Sequence, residues 1–434
     1  MIKIYSFFHS IWFHLFHPFS IYKALKYRAL LWSIPHKQKR ALKKIQFKKP
    51  LKCVFLVVYH QTWKYDGVYE LMRNSPLFSP VLLICPIMEF GREKMLQFLK
   101  EDYDFFCARH YDVILSYDGN TYIDLIKDIN PDIIFYTNPY EGLIDNRYYI
   151  TNFLDRLTVY VPYAFNNNID LNFCHNLPLH NMVWRYYSES EEHRSYSRKI
   201  SFSKGRNVVV TGYPGIEHLI KRKTLHDCKD WKIKDNHIKR IIWAPHHTIG
   251  SKESVVYSCF LRYAEFMLDI ADKYKNDVQF VFKPHPMLKS KLDNLWGEDK
   301  ANYYYDQWKS RDNCNYNNGE YTDLFHTSDA MIHDSGSFLT EYLYVNKPVM
   351  RTLNDIPLKD QYNSFALKCL DQYYMAHNEQ DIEQFIQNVI NEVDPLKEQR
   401  TKFVNEVLMP KGSPSKNIID DILDSIDNQT LYRD

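Results

Sequence analysis

The stretch MIHDSGSFLTEYLYVNKPVM, residues 331–350, joins two apolar runs through a polar hinge and a helical segment. The first run ends in HDSGS (333–337), and the chain then resumes with a segment that carries Glu341. A buried strand and a buried helix do not need so polar a connection. Ligands of open parallel sheets bind just beyond the carboxyl ends of the strands. The hinge therefore predicts a binding site.

The hinge belongs to a series of short apolar runs in the second half of the chain. The runs are NVVVTGYP (207–214), IKRIIWAPHH (238–247), VQFVFKPHP (278–286), DAMIHDSG (329–336) and KPVMRTL (347–353). Helical stretches such as FLRYAEFMLDIADKYK lie between them. Continuous apolar strands that alternate with helices are typical of a parallel sheet covered on both faces.

An earlier series of runs has the same character. It comprises LKCVFLVVYH (51–60), SPVLLICP (79–86), YDVILSY (111–117), PDIIFYTNP (131–139) and RLTVYVPYAF (156–165). A chain of 434 residues suits two domains. We therefore predict an α/β fold with two doubly wound, Rossmann-like domains facing a cleft, an N-terminal one at 51–205 and a C-terminal one at 206–434.

The first 50 residues form a separate segment rich in aromatic and basic residues. No Asp or Glu precedes Asp66, and Lys and Arg cluster in HKQKRALKKIQFKKP (36–50). No apolar run approaches the roughly 20 residues that a transmembrane helix needs. We expect this amphipathic segment to lie on an anionic membrane surface. A basic, partly disordered arm and a helix docked on the protein's own core are the alternatives.

Cysteine usage and charge narrow the location and the partners. Eight cysteines are scattered without a C-x-x-C pair or a secretory leader, which predicts reduced thiols in a cytoplasmic protein. The net charge is +2, and the chain after residue 50 shows no nucleic-acid recognition motif. We therefore expect no nucleic-acid partner. The expected location is the cytoplasm, peripheral on the inner face of the cell membrane.

Polar clusters follow three strands of the second series. They are WAPHHT (243–248), KPHP (283–286) and HDSGS (333–337). Three clusters at one edge of a sheet indicate a ligand site. Ser335, Gly336 and Ser337 precede a helix, whose first N–H groups attract anions, so this loop predicts phosphate binding. Helix capping by one of the serines is the simpler alternative.

Glu341 lies four residues after Ser337, on the same helical face. A capping box places its acidic residue three positions after the cap, so capping does not explain Glu341. We expect its carboxylate to accept hydrogen bonds from ribose hydroxyls. A solvent-facing Glu341 is the alternative.

Histidines supply the candidate chemistry. His285 lies between two prolines that restrict its backbone, and we expect it to donate to a phosphate oxygen or to act as acid or base, with Lys283 beside it. A histidine packed into a turn is the alternative. Because neighbouring side chains at a strand end diverge, we expect only His246 of the pair His246–His247 to enter the cleft. No H-x-x-x-H or H-E-x-x-H spacing is present, so we expect no metal.

A family resemblance rests on VVVTGYP, IIWAPHHT, FKPHP and SDAMIHDSGSFLTEYLYVNKPVM. In order and spacing these motifs resemble the donor domain of the CDP-glycerol glycerophosphotransferase family of teichoic-acid and capsule synthesis. The resemblance implies a GT-B architecture and a peripheral basic segment near a lipid-linked acceptor. It also implies transfer of an alcohol phosphate from a CDP-alcohol to a hydroxyl, with release of CMP. The DSGS…E…KPV pattern alone also resembles UDP-N-acetylglucosamine 2-epimerases and other GT-B glycosyltransferases.

The family's site residues can be matched to this chain position by position. His285 matches the donor-site histidine of the family's HP motif. Asp334, Ser335 and Ser337 match the element that holds the nucleotide phosphates, and Glu341 matches the acidic position in the next helix. The resemblance thus implies a nucleotide site at these five residues.

The N-terminal domain departs from the family pattern. The family carries a His-Gly-Thr-type motif there, whose histidine is taken as the base for the acceptor hydroxyl. In this chain the corresponding strand ends in VYVPYAFNNNID (159–170), which contains no histidine. The base is therefore open, with Asp170 and His175 as weak candidates.

The mechanism implied is in-line attack of the acceptor hydroxyl on the distal phosphorus of the donor, with positioning and charge stabilisation supplying most of the acceleration. We expect His285 and His246 to be catalytic, and Lys283, His247 and the 334–337 loop to bind substrate. Partners would be a CDP-linked alcohol, a lipid-linked or polysaccharide acceptor and an anionic membrane surface, without a cofactor. A glycosyltransferase using a nucleotide sugar, a UDP-sugar 2-epimerase and a non-catalytic lipid-surface module are the alternatives.

Overall fold

Two parallel sheets, each in its own unit, organise the chain. The computed structural model describes residues 18–89, 91–221, 228–250 and 256–433, with side chains from residue 26 onward. The first unit contains the chain up to Tyr163, Asn172–Pro214 and the residues from Gly412 onward. The second unit contains Ala164–Leu171 and Gly215–Lys411.

The strands of both sheets are short, and all their pairings are parallel. The first sheet contains β1 (Leu51–Val57), β2 (Phe78–Ile84), β3 (Val113–Leu115), β4 (Ile133–Tyr136), β5 (Leu157–Tyr160), β6 (Arg185–Ser188) and β7 (Val208–Val210). The second contains β8 (Lys239–Ala244), β9 (Val278–Phe282), β10 (Cys314–Tyr316), β11 (Ala330–His333), β12 (Val349–Thr352) and β13 (Tyr374–Ala376). The prediction of an α/β fold with parallel sheets is confirmed.

Helices connect the strands, as parallel pairing requires. In chain order they are α1 (Pro18–Ile45), α2 (Asp66–Arg73), α3 (Arg92–Cys107), α4 (Leu171–His175), α5 (Pro178–Met182), α6 (Glu191–Ile200), α7 (Glu217–Ile220), α8 (Phe260–Lys273), α9 (Leu288–Trp296), α10 (Glu298–Ser310), α11 (Thr322–Thr327), α12 (Phe338–Glu341), α13 (Ser364–Leu370), α14 (Glu379–Ile390), α15 (Lys397–Phe403) and α16 (Pro414–Asp427). None of the helices in the described ranges is long and apolar enough to cross a bilayer.

Aromatic side chains fill much of both cores. In the first unit Phe55 of β1 stacks on Phe135 of β4, with ring centroids 4.3 Å apart. In the second, Trp243 of β8 packs against Phe260 of α8 and Phe282 of β9, with centroids at 5.7 and 5.1 Å. Such pairs add about 0.5–1.5 kcal/mol each beyond the area they bury. The many Tyr and Phe residues of the sequence thus contribute to packing.

Each sheet has one point where the strand order reverses. The first sheet runs β3-β2-β1-β4-β5-β6-β7, so the chain turns back between β1 and β4. The second runs β10-β9-β8-β11-β12-β13 and turns back between β8 and β11. Connections on either side of such a point leave toward opposite faces, and the crevice between them is where ligands of these sheets bind.

The described part of the N-terminal segment is a helix docked on the first unit. Ile34, Leu42 and Ile45 of α1 are buried, and the Nε2 atom of Gln38 donates to the carbonyl of Met182 at 3.0 Å. These positions recur at helical spacing, which explains why one face packs on the core. This docking corresponds to one of the alternatives considered for the segment. The aromatic opening, residues 1–17, lies outside the described residues.

The opposite face of α1 is basic and carries an exposed tryptophan. Trp32 is 85% exposed, and Phe47 just after the helix is also exposed. Exposed basic residues surround them on this face: Lys26, Arg28, Lys39, Arg40, Lys43 and Lys44. The helix is therefore amphipathic in an inverted sense, with its apolar stripe on the protein and its charges toward solvent.

The C-terminal helix α16 completes the first unit. Buried Arg185 of β6 donates through Nε to Asp421 at 2.9 Å and through Nη2 to Ser425 at 2.7 Å. Its Nη1 atom also donates to the carbonyl of Leu431 at 2.7 Å. A buried arginine requires partners of this kind because an unpaired charge is costly to bury. The sequence boundary had assigned this helix to the C-terminal domain, whereas it packs against the first sheet.

Candidate active site

The three predicted polar clusters lie at one edge of the second sheet, around its reversal point. WAPHHT follows β8 and HDSGS follows β11, and these two strands are direct neighbours. KPHP follows β9, on the other side of β8. Because carboxyl ends of parallel strands meet at one edge, the loops converge. The amide of His285 donates to the carbonyl of Pro245 at 3.0 Å, which ties two of the loops together.

Asp334 holds the loops from beneath. Its Oδ1 atom accepts from the amide of His246 at 2.5 Å, and its Oδ2 atom accepts from the amide of Cys259 at 2.6 Å. The side chain is 2% exposed, and burial raises the pKa of this carboxyl to about 6. Both oxygens point at the backbone of the neighbouring loop. Asp334 therefore positions the site through its framework.

His246, His247 and His285 form a cluster at the strand ends. The ring centroids of His247 and His285 are 4.2 Å apart, and those of His246 and His285 are 5.1 Å apart. The expectation that only His246 enters the site was wrong. The backbone turns immediately after Pro245, so the two consecutive side chains do not alternate as they would along a strand.

Hydrogen bonds fix which ring nitrogens carry protons. Nδ1 of His285 accepts from the amide of Met287 at 3.2 Å. Nδ1 of His246 lies 3.0 Å from Oγ1 of Thr248, which already accepts from two backbone amides and therefore donates its proton to the ring. In both neutral rings the proton then resides on Nε2. Each imidazole presents an N–H donor.

Burial keeps these rings neutral. It lowers the pKa of His285 to about 3, and the neighbouring His247 lowers it further. Burial also lowers the pKa of His246 well below its usual value, with His247 and His285 as additional causes. An anion entering this site would reverse part of that shift, because it favours the charged imidazole.

The cluster has the composition of a metal site but the wrong hydrogen bonds for one. One nitrogen from each of the three histidines lies within 4.8 Å of the others. A metal-bound histidine usually donates its second ring N–H to an acceptor. His285 instead accepts at Nδ1, which leaves no lone pair on Nε2 for a metal. The arrangement favours an anionic ligand.

Lys283 supplies a buried cation next to the cluster. Its Nζ atom donates to Oδ1 of Asn317 and to the carbonyl of Gly319, both at 2.8 Å. Burial lowers its pKa to about 8. At neutral pH the ammonium therefore remains largely charged, and its position is fixed by the loop that follows β10.

Glu341 is buried, so the solvent-facing alternative is wrong. The residue is 1% exposed, and one carboxylate oxygen accepts from the hydroxyl of Tyr321 at 2.6 Å. The same carboxylate raises the pKa of Tyr321 well above its usual value, although burial is the larger cause. A buried carboxylate held by one tyrosine is typical of a binding position.

The 335–337 loop is short of helix but firmly held. Helix α12 spans only Phe338–Glu341, less than the expected helix, and the chain continues as a 3-10 turn at Tyr342–Val345. The side chain of Ser337 makes no capping hydrogen bond. Any anion held here would therefore meet the amides and hydroxyls of the loop itself more than a helix dipole.

Two residues that sequence reasoning missed fix this loop. Arg351 of β12 donates to the carbonyls of Ser335 and Asp334 at 3.3 and 3.1 Å. Asn167 donates through Nδ2 to the carbonyl of Gly336 at 3.0 Å. With its carbonyls engaged, the loop directs other groups toward a ligand. An arginine inside the apolar run KPVMRTL was the available signal for the first; none pointed to Asn167.

Asn167 lies in the stretch where the family histidine was expected. Residues 164–171 belong to the second unit and support its loop. The weak candidate His175 is fully buried, with Nδ1 3.2 Å from the hydroxyl of Tyr186. Burial lowers its pKa well below its usual value. It is thus enclosed in the first unit's core, whereas Asp170 is exposed.

Comparison with solved structures agrees with the fold. A putative UDP-N-acetylglucosamine 2-epimerase from Listeria monocytogenes is similar at 14% identity and a TM-score of 0.53, covering 88% of this chain and 99% of that one. A UDP-GlcNAc 2-epimerase from Neisseria meningitidis bound to UDP-GlcNAc gives 15% and 0.53, with 86% and 99% covered. The wall teichoic acid polymerase TagF gives 13% and 0.52, with 94% and 98% covered. These likenesses establish the fold alone.

The family is established by sequence. No curated protein is significantly similar to the chain. The family model described as CDP-Glycerol:Poly(glycerophosphate) glycerophosphotransferase, however, matches residues 168–423, more than half of the chain. That range includes every loop of the site described above. The chain is a transferase that belongs to the CDP-glycerol:poly(glycerophosphate) glycerophosphotransferase family.

Proposed function

We propose that this enzyme transfers an alcohol phosphate, glycerol phosphate or a similar group, from a CDP-linked alcohol to a hydroxyl of a lipid-linked or capsular or teichoic polymer, releasing CMP. The observation that carries the proposal is the pair of neutral Nε2–H donors on His246 and His285, next to the 335–337 loop at the reversal point of the second sheet. A diphosphate needs several such donors at close range.

The reaction is a displacement at phosphorus. The acceptor oxygen attacks the distal phosphorus of the donor, and the bond between that phosphorus and the bridging oxygen of CMP breaks with its electron pair. Negative charge grows on CMP as it leaves. Donors already in place for that charge accelerate the step without reorganisation, and each contributes about 10²–10³-fold in comparable sites.

The site residues divide the donor between them. His285 and His246 donate to the diphosphate, and His247 lines the same cluster. The ammonium of Lys283 offsets the charge of the phosphates, and the amides and hydroxyls at Ser335 and Ser337 hold their oxygens. In this assignment Glu341 and Tyr321 together receive the ribose, because a carboxylate accepts from both of its hydroxyls.

The basic face of α1 fits a role at a membrane surface. Exposed Trp32 and Phe47 are suited to the headgroup region, and the surrounding Lys and Arg are suited to anionic lipids. We propose that the enzyme works on the inner face of the cell membrane, where a lipid-linked acceptor would be within reach.

A ligand panel tests the proposed function. CMP, CDP, UDP, GDP, CDP-glycerol and a UDP-sugar are compared by thermal shift on the purified protein. A cytidine nucleotide at 100 times its Kd should stabilise the fold by about 2.7 kcal/mol. CMP release is then followed with CDP-glycerol and a synthetic glycerol-phosphate oligomer. Selective stabilisation by the UDP-sugar without CMP release would instead indicate a nucleotide-sugar transferase.

A further inference from the structure

The proposed transfer needs a base, and no residue of the second unit has been given that part. When a hydroxyl becomes a phosphate ester, its proton must go to another group. The histidines near the donor loop present N–H donors, which suits phosphate binding but not proton removal. The reversal point of the first sheet carries a second polar constellation with the opposite polarity.

That constellation begins directly after β1. The chain passes into a 3-10 turn at His60–Thr62. Asp102 of α3 contacts this turn: its Oδ1 atom lies 2.6 Å from Nδ1 of His60 and accepts from the amide of His60 at 3.0 Å. A carboxylate oxygen bound to Nδ1 keeps the proton on Nδ1. The neutral ring of His60 therefore presents a lone pair at Nε2.

The ring is both fixed and accessible. His60 stacks on Phe105, with ring centroids 4.2 Å apart, and its side chain remains 24% exposed. Two anchors, the Asp102 carboxylate and the Phe105 face, hold the imidazole in one orientation. A base must be oriented in this way before it can act within hydrogen-bond reach of its substrate.

Asp102 is a costly residue for a merely structural role. It is 3% exposed, and within the described part of the chain its Oδ2 atom has no hydrogen-bond partner. A neutral asparagine would satisfy the amide of His60 without burying a charge. A carboxylate at this position is explained by a positive charge that forms on the imidazole during reaction, as in other His–Asp pairs.

Neutral polar groups line the neighbouring strand end. Asn138, shortly after β4, donates through Nδ2 to Oγ1 of Thr62 at 3.1 Å. Further along, the hydroxyls of Tyr140 and Tyr163 lie 2.8 Å apart. Hydroxyl and amide groups of this kind recognise a polyol without attracting or repelling its charges.

We propose that His60 is the general base of the transfer and that Asp102 is its positioning residue, at an acceptor site for a hydroxyl-rich chain. This inference rests on the proposed function. In the step, the acceptor O–H bond breaks and its proton goes to Nε2 of His60. The new O–P bond forms, and CMP leaves with the electrons of the bond that breaks.

The test compares His60→Gln with His110→Asn, an exposed histidine of the same unit. With CDP-glycerol and the glycerol-phosphate oligomer, His60→Gln should lower kcat by about 100-fold or more. Donor affinity, measured by calorimetry, should be unchanged, and His110→Asn should match wild type in both. A fully active His60→Gln overturns the inference; a wild-type enzyme that releases no CMP overturns the proposed function.

Imidazole rescue keeps the test decisive where folding is affected. His60→Gly should regain turnover when imidazole is added, because the added base occupies the vacated position. Asp102→Asn should lower kcat about tenfold or more with the donor KM unchanged, and should add little in the His60→Gly background. Absence of rescue, or fully additive losses, would show that the pair only supports the fold.

Discussion

Nδ1 of His285 accepts the amide proton of Met287 at 3.2 Å, so the free side of the ring carries the other proton. The first prediction follows from this contact. His285→Ala should lower turnover by about 100-fold or more, because a positioned donor to the transferring phosphate is lost. Its melting temperature should stay close to wild type, since the ring is partly exposed. Exposed His237→Ala is the matched control. Unfolding with a proportionate loss of activity would favour the packed-turn alternative.

Gly336 provides a test with little steric ambiguity. A Cβ atom there would have its nearest neighbour, Cε2 of Tyr257, at 3.4 Å, so the fold should accept alanine with a small adjustment. If phosphate occupies the adjoining space, Gly336→Ala should weaken CMP binding about tenfold and Gly336→Val should abolish it. Gly319→Ala, where the Cβ meets nothing within 4 Å, is the control. Equal CMP affinity in all three variants would remove the loop from the donor site.

Glu341→Gln should weaken binding of CMP and of CDP-glycerol equally, by about 1.5–3 kcal/mol, because both carry the ribose. The loss should largely vanish for a 2′,3′-dideoxy analogue, which offers no hydroxyl to residue 341. Tyr321→Phe removes the tyrosine hydroxyl that contacts Glu341 and separates orientation from direct contact. Titration calorimetry measures all three ligands. Unchanged affinity for CMP in Glu341→Gln would assign Glu341 to the fold alone.

Asp334 should make stability depend on pH. Its folded pKa is about 6, above the usual value of 3.8, so the folded state binds the proton more tightly than the unfolded state. Its contribution to stability is therefore complete below pH 3.8 and is lost as pH rises through about 6, a change of about 3 kcal/mol. Denaturant titrations at pH 4 to 7 should show this slope in wild type and in the exposed control Asp355→Asn, but not in Asp334→Asn. A slope that survives in Asp334→Asn would assign it to other groups.

The outer face of α1 should govern binding to anionic vesicles. Deleting residues 1–45 would also remove Ile34, Leu42 and Ile45 from the core, so surface substitutions are the cleaner test. Replacing Arg28 and Arg40 by Glu should reduce sedimentation with anionic vesicles, at about 1 kcal/mol per basic residue, in a salt-sensitive way. Lys359→Glu, an exposed lysine of the second unit, is the control. Equal sedimentation of all forms would contradict a membrane role for this face.

Strand positions were predictable wherever a strand is a continuous apolar run. The three strands that sequence reasoning missed, β6, β10 and β13, read RYYS, CNY and YMA, too short and too polar to stand out. Strand ends were equally readable, because polar clusters after apolar runs locate the carboxyl edge. Which polar groups meet was not readable. Contacts such as Arg351 to Ser335, or His60 to Asp102, join residues distant in sequence, and only the assembled sheets define them.

The pairing of Arg185 with Asp421 has a consequence for biosynthesis. The first unit needs residues from both ends of the second, since helix α16 is translated only after Gly215–Lys411. On the ribosome, the first sheet must wait with Arg185 unpaired while a whole second unit emerges and folds. A nascent chain halted before residue 412 would thus hold one finished unit and one incomplete unit exposing a buried charge, a natural target for chaperones and proteases.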